Sequence, residues 1–170
     1  LQSRWGSDYA ANMQRLQSLA ARTGQMVLLY NGQPAAACYH AISSGHTEAS
    51  QNVWGGQLPY LCGVDSAWDK FADGYEVTIQ YSAEQVRTAL EELGLTPDDS
   101  PESWVGASTW DKAGYVRTLE LCGQMVSGLE VRKALDLRST CFAIAWRGGQ
   151  FVITTRGHGH GVGLSQYGAK

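Results

Sequence analysis

The period of the hydrophobic pattern changes several times along the chain, which predicts several short elements, mostly strands with a few helices between them. Between residues 8 and 22, alanine and leucine recur at helical spacing, and Gly24 follows the last turn. Ser7 or Asp8 is available as the N-cap. The pattern therefore predicts an opening helix.

A hairpin is predicted after this helix. Asn31-Gly32 separates two mainly apolar runs at 25–30 and 35–40, and this dipeptide supplies the two positive φ angles of a type I′ turn. His40 then ends the second strand and opens a segment, 41–58, that has no clear period and is rich in polar residues and glycine. A polar loop carried on a rigid hairpin is a typical place for a binding site.

Two capping boxes mark helices in the second half of the chain. Ser82 to Gln85 begins a helix that ends near Gly94, and Ser127 to Glu130 begins a shorter one that ends at Leu135. The stretch 96–108, with two prolines, is predicted to be a loop. Strands and their turns are predicted at 75–81, 115–121, Gly123, 141–147, Gly148-Gly149 and 150–155. The expected fold class is α+β: a single strand-rich mixed domain with antiparallel hairpins and three or four helices.

Composition is that of an ordinary globular domain. The chain has 170 residues, of which 44% are hydrophobic and 17% charged, enough for one sizeable core. The formal net charge is −3, and the longest basic cluster is Arg132-Lys133. A nucleic-acid partner is therefore not expected, because such a surface normally carries a basic stripe.

Glycine at alternate positions marks the C-terminal segment. Residues 157–166 read Gly-His-Gly-His-Gly-Val-Gly-Leu-Ser-Gln. Glycine in ordered structure costs roughly 0.5–1 kcal/mol relative to alanine, so four of them indicate that the backbone must come close to something, a ligand being one candidate. A flexible tail and a tightly packed turn are the alternatives without chemistry.

This segment and the polar loop together resemble a known family. The loop reads His-Ala-Ile-Ser-Ser-Gly-His-Thr-Glu at 40–48, followed by Val-Trp-Gly at 53–55 and Pro-Tyr-Leu at 59–61. The end of the chain reads Gly-His-Gly-Val-Gly-Leu-Ser-Gln-Tyr-Gly-Ala at 159–169. In order and spacing these landmarks are similar to those of the stage II sporulation protein D family, and residues 127–140 also resemble it.

The resemblance, which covers about residues 25–169, implies cleavage of peptidoglycan. The family's reaction is lytic transglycosylation of the bond between N-acetylmuramic acid and N-acetylglucosamine, which leaves a 1,6-anhydro end. One carboxylic acid suffices, because it protonates the leaving oxygen and then accepts the proton of the sugar's own C6 hydroxyl. Glycan strands are the implied partner, other cell-wall remodelling proteins are further candidates, and no cofactor is implied. A non-catalytic peptidoglycan-binding or scaffold module is the alternative.

The chain departs from the family at its start. The family's catalytic glutamate lies upstream in a Glu-(Met/Leu)-Pro segment, whereas this chain has no glutamate before Glu48. We therefore expect a fragment, in which 1–24 is the helical remnant of a missing N-terminal part and 25–170 is the domain with the glycan cleft. The fragment alone is expected to be inactive, with Glu48 as the fallback acid. The parent is expected outside the cytoplasm, anchored to the membrane through a missing segment.

The resemblance places the substrate-binding residues in the two motif segments: His40, Ser43, Ser44, Gly45, Thr47, Glu48, His160, Ser165 and Gln166. We predict that 40–48 and 157–166 lie side by side and form one cleft, because distant motifs must meet to serve one site. The serine hydroxyls equally suit capping of their own backbone. Trp54 and Trp68 could stack on sugar rings, but the interpretation we favour is that both are buried anchors of the loop.

The cysteines leave three alternatives open. A zinc site would use Cys38, His40, His46 and Cys62, although their spacing matches no compact zinc motif. Disulfides between Cys38 and Cys62, and between Cys122 and Cys141, would suit a family that works outside the membrane. Free buried thiols are the interpretation we favour, and no metal is expected.

Overall fold

The computed structural model describes residues 1–170 and divides into two compact units, Leu1–Ala37 and Cys38–Lys170. The first unit contains helices α1 (Gln2–Trp5) and α2 (Tyr9–Thr23) and the antiparallel strands β1 (Leu29–Tyr30) and β2 (Gln33–Pro34). Helix α2 confirms the predicted opening helix. The turn is also confirmed, since Asn31 and Gly32 have φ angles of 49° and 74°. No helix in the chain has the length and apolarity needed to span a membrane.

The second unit alternates strands with short helices. Its elements in chain order are β3 (Tyr39–His40), α3 (Ser50–Trp54), β4 (Glu76–Tyr81), α4 (Ala83–Glu92), β5 (Val105–Trp110), β6 (Val116–Leu121), β7 (Gln124–Ser127), α5 (Gly128–Ala134), β8 (Phe142–Arg147), β9 (Gln150–Arg156) and β10 (Leu164–Ser165). Both predicted capping boxes are present, at the starts of α4 and α5. The α+β fold class is confirmed.

Two three-stranded antiparallel sheets supply most of the core. In one, β9 lies between β4 and β8, and in the other β6 lies between β5 and β7. Along β9 the residues alternate in burial, with Phe151 and Ile153 completely buried, as the two-residue period of a strand requires. Trp104 stacks on Phe151 at 5.7 Å between ring centroids. Helices α4 and α5 add Leu90 and Val131 to the same core.

Two local predictions were wrong. Strand β5 occupies part of the stretch predicted as a loop, because most of its residues are small and only their pairing with β6 defines the strand. The prediction that residues 35–40 form the second strand of the hairpin was wrong as well, although a strand does end at His40. The hairpin ladder stops at Pro34, and His40 instead pairs in parallel with Ser165 of β10. His40 and Ser165 are far apart in the sequence, so no short-range pattern could predict their pairing.

Candidate functional site

The two motif segments lie side by side in the second unit. Strands β3 and β10 pair in parallel, and isolated bridges join Ile42 to His158 and Glu48 to Val162. The backbone N–H of Glu48 donates to the Gly161 carbonyl at 2.7 Å. The ring centroids of His40 and His160 are 5.9 Å apart. The prediction that the segments are neighbours is confirmed.

The alternate glycines are explained by this contact. Gly161 has a φ of 78°, and a Cβ added there would lie 2.7 Å from the Tyr115 hydroxyl oxygen. Gly163 has a φ of 77°, and a Cβ there would collide with the Cys38 carbonyl. The close approach that the sequence indicated is therefore an approach to the other segment and its neighbours. The glycine-rich stretch is a packed part of the fold.

The buried Asp69 carboxylate links the two motif segments through hydrogen bonds. It accepts hydrogen bonds from the backbone N–H of Ser43 at 2.8 Å, from the Ser43 hydroxyl, and from the Ser165 hydroxyl at 2.7 Å. Burial acts to raise the pKa of Asp69, but the hydrogen bonds from Ser43 and Ser165 prevail and lower it. Ser43 and Ser165, predicted as substrate contacts, are themselves buried and use their hydroxyls on this internal acid.

Tyr115 fixes the middle of the loop in the same way. Its hydroxyl donates to the His46 carbonyl at 3.1 Å and accepts from the Ser44 backbone N–H at 3.2 Å. Burial raises the pKa of Tyr115 to about 12, so the hydroxyl keeps its proton at neutral pH. The Ser44 hydroxyl donates to the Ala113 carbonyl, and Thr47 exchanges hydrogen bonds with Val64. These two predicted contact residues also hold the loop in place.

Glu48 is a buried carboxylate that forms an ion pair with one cation, Arg117. One carboxylate oxygen accepts from the Ala49 N–H and the Asn52 amide, both at 2.8 Å, and the other accepts from Arg117 at 2.8 Å. Arg117 also bonds to Asp111. Burial raises the pKa of Glu48, and the neighbouring Asp111 carboxylate adds to the effect. Both oxygens of Glu48 are thus occupied.

The two central histidines are neutral and carry different tautomers. The Nδ1 of His40 is 3.2 Å from the Val162 carbonyl oxygen, so it carries the proton, and its Nε2 is a buried acceptor without a hydrogen-bond partner. The Nδ1 of His160 accepts from the Val162 N–H at 3.1 Å, so its proton lies on Nε2. Burial lowers the pKa of both rings. An unpaired buried acceptor costs about 1–3 kcal/mol, which favours a donor there.

A small pocket opens beside these groups, with a cavity volume of about 70 Å³. Among its lining residues are Glu48, Asn52, Arg117, Arg132 and His160. Sequence reasoning did not select Asn52, Arg117 or Arg132 for this site, nor Asp69 beneath it. Arg132 lies in the stretch 127–140 that resembles the family, but the sequence does not indicate that these side chains meet, since tertiary contacts bring them together.

The remaining predicted residues lie in various places. Gly45 is buried, and Gln166 is exposed and donates its backbone N–H to the His40 carbonyl. The prediction that both tryptophans are buried was wrong, since Trp54 is 50% exposed and Trp68 is 72% exposed. The Trp54 and His160 ring centroids are 5.1 Å apart, so the exposed Trp54 ring lies next to a residue that lines the pocket.

The cysteines and the alternative zinc ligands do not assemble. All four cysteines are free thiols, but Cys141 alone is buried, Cys38 and Cys122 are half-buried and Cys62 is exposed, so the prediction of buried thiols was wrong for three of them. No group of three His, Cys, Asp or Glu side chains is arranged to hold a metal ion. His46, a member of the alternative set, bonds through Nδ1 to the Thr47 carbonyl at 2.7 Å.

Sequence comparison identifies relatives along the whole chain. The stage II sporulation protein D of Bacillus subtilis (strain 168) is 36% identical over 99% of this chain and 48% of that protein, and the protein of the same name from Bacillus amyloliquefaciens is 37% identical with the same coverage. The amidase enhancer of Bacillus subtilis (strain 168) is 24% identical over 88% of this chain and 28% of that protein. No protein-family model matches the chain.

These findings support the family resemblance that the motifs indicate. The chain spans about half the length of the two sporulation proteins that it matches. The similarity extends across both motif segments and the residues between them, which include Asp69 and Arg117.

Proposed function

We propose that this chain is the substrate-binding portion of a peptidoglycan lytic transglycosylase of the stage II sporulation protein D kind. The parent protein would cut the bond between N-acetylmuramic acid and N-acetylglucosamine and leave a 1,6-anhydro end. The observation that carries the proposal is the meeting of the two motif segments beside a pocket that contains Glu48 and His160. A location outside the cytoplasm, with an anchor in the parent, is part of the proposal.

The hydrogen bonds of Glu48 support a parent protein in which glycan binding and catalysis lie in different parts of the chain. A general acid must present its proton to the leaving oxygen within hydrogen-bond reach. Glu48 has both carboxylate oxygens occupied by Ala49, Asn52 and Arg117. In this proposal the catalytic acid comes from the upstream part of the parent, and the chain described here binds and orients the glycan.

The neighbouring histidines suit that orienting role. The Nε2 of His40 is a buried acceptor without a partner, next to a residue that lines the pocket, and an O–H donor that reached it would satisfy it. His160 lies between the rings of His40 and Trp54. The exposed ring of Trp54 beside it offers an aromatic face, which suits the apolar C–H face of a sugar ring.

The second candidate is a non-catalytic peptidoglycan-binding or scaffold module. Glu48 is the one carboxylate that lines the pocket, and its engagement favours this candidate too. So does the similarity to a protein whose name says that it enhances an amidase. In this alternative, cleavage belongs to another protein.

A binding experiment tests whether the chain has a glycan site, which both candidate functions require. Peptide-free glycan strands titrated into the chain should bind, and His160→Ala should weaken binding about tenfold, the scale of one hydrogen bond with its packing. His158→Ala is the matched control, because His158 belongs to the same glycine-rich segment but does not line the pocket. Equal affinity of the two variants, or no binding by the unmodified chain, would count against the proposal.

A cleavage assay distinguishes between the two candidate functions. The chain alone should release little anhydromuramyl product, since loss of a general acid removes about 10²–10⁴ in rate. The parent with its upstream part should release it readily if it is the enzyme and should not if it is a scaffold. Robust release by the chain alone, abolished by Glu48→Gln, would instead make Glu48 the acid.

A further inference from the structure

The first unit, Leu1–Ala37, has an exposed apolar surface. None of its residues is buried. The residues of the apolar run Met26–Leu29, which enters β1, are each between 60% and 69% exposed. Leu16 and Leu19 of α2 are exposed as well. Short helices and two-stranded hairpins without a buried apolar face are only marginally stable in water, so this surface indicates a partner.

The same unit is basic, although the chain as a whole is acidic. It contains three arginines, Arg4, Arg15 and Arg22, and one acidic residue, Asp8, and the next acidic residue along the chain is Glu48. The second unit, in contrast, contains ten basic and fifteen acidic residues. None of the three arginines takes part in an ion pair. An anionic partner therefore complements this unit.

Helix α2 arranges its apolar and basic residues as an interfacial helix does. Successive residues are rotated by about 100° around a helix, so Leu16 and Leu19 lie on one side of α2. Arg15 and Arg22 are seven positions apart and therefore lie together, along the border of this apolar side. An apolar side bordered by arginines, with no acidic residue in the helix, is typical of a helix that lies in the plane of a membrane surface.

We propose that the first unit docks on the surface of a membrane that contains anionic phospholipids. Met26–Leu29 and the apolar side of α2 enter the boundary between head groups and acyl chains, where Arg15 and Arg22 contact lipid phosphates. Trp5 and Tyr9, whose ring centroids are 6.2 Å apart, precede this side of the helix and suit the head-group level. An anionic lipid surface supplies the apolar phase and the negative charge together. The inference is independent of the proposed function, since no glycan takes part.

Vesicle binding tests the inference with the chain as it is. Flotation with vesicles made of equal parts of phosphatidylcholine and phosphatidylglycerol would be compared with flotation with vesicles of phosphatidylcholine alone. Each arginine near an anionic surface contributes about a factor of five in affinity, so the two arginines of α2 should make binding to the mixed vesicles about 25-fold tighter. Equal binding to both kinds of vesicle, or binding to neither, would overturn the inference.

Two pairs of variants assign the binding to this unit. Leu28→Glu should weaken binding to the mixed vesicles about tenfold, because one apolar side chain no longer enters the lipid. Met125→Glu, at a 60% exposed position of β7 in the second unit, should have no effect. Arg22→Gln should weaken binding about fivefold, whereas Arg147→Gln, at the exposed end of β8, should not. Equal effects within either pair would contradict the assignment.

Two other occupants of the surface give different results. If the surface joins two copies of the chain, light scattering will show a dimer that Leu28→Glu dissociates, and the vesicles will not bind. If the upstream part of the parent covers the surface, a form of the parent that includes this part but no membrane-spanning segment will not bind the vesicles that bind the chain. Either result would overturn the inference and leave the proposed function standing.

Discussion

At the scale of single residues, the Asp69 carboxylate connects chain segments that are far apart in sequence. Its partners Ser43 and Ser165 belong to the two different motifs. Hydrogen bonds to an ionised group in the interior are among the stronger ones in proteins. The geometry of the pocket above therefore depends on a residue that has no contact with it.

The substitution Asp69→Asn tests this dependence. One carboxylate oxygen becomes an NH₂ donor, which cannot accept from Ser43 or Ser165, so we expect a loss of about 2–4 kcal/mol in the free energy of unfolding. Urea denaturation measures it. Asp73→Asn is the control, because Asp73 is exposed and should shift the midpoint very little. Similar shifts in the two variants would show that Asp69 is not a structural centre.

The sequence predicted some of these residues and not others. His40 and His160 were paired correctly through their motifs, and they are neighbours in the structure. The role of Asp69 was not predicted, since a buried acid is defined by what surrounds it. The serines of the motif were read as ligand contacts, although Ser43 and Ser165 bond to Asp69.

At the scale of elements, those specified by neighbouring residues were predicted correctly, whereas the pairing of distant strands was not. The capping boxes before α4 and α5 and the turn at Asn31-Gly32 were correct because each is specified within four residues. Strand β5 and the parallel pair of β3 and β10 were missed. Strand β10, the partner of β3, lies outside any window over which a hydrophobic period can be read, whereas β5 pairs with the next strand and was missed because its own residues show no clear alternation.

Gly163→Ala tests whether close packing, and not flexibility, explains the alternate glycines. Gly123 is the matched control, because its φ of 75° is nearly that of Gly163 but nothing lies within 4 Å of an added Cβ. Gly123→Ala should cost about 1–2 kcal/mol from backbone strain alone. Gly163→Ala should cost about 1–3 kcal/mol more, because the Cys38 carbonyl must move. Equal losses in chemical denaturation would favour a loosely packed tail.

At the scale of the whole molecule, the neutral histidines make stability depend on pH. Their ordinary pKa is 6.5, and burial lowers it for His40, His158 and His160. Between the folded and unfolded pKa values the unfolded chain binds more protons than the folded chain. The free energy of unfolding should therefore fall as the pH drops below 6.5 and level off below the folded pKa values.

Unfolding measured in urea between pH 5 and pH 8 checks this expectation. The raised pKa of Glu48 acts in the opposite direction, so the informative quantity is the difference between the unmodified chain and His40→Gln. The variant should lose less stability on acidification, because one of the buried neutral rings is absent. An identical pH dependence in both chains would mean that protonation of His40 is not linked to unfolding.

The parallel pairing of β3 with β10 also determines how late in synthesis the pocket can form. His40 bonds to Val162, which lies 122 positions later in the chain. At roughly 5–20 residues per second, a ribosome delivers that partner roughly 6–25 s after His40. Until then the pocket lined by Glu48 and His160 does not exist, whatever else of the second unit has folded. A nascent chain, or one that terminates before Val162, therefore lacks this pocket.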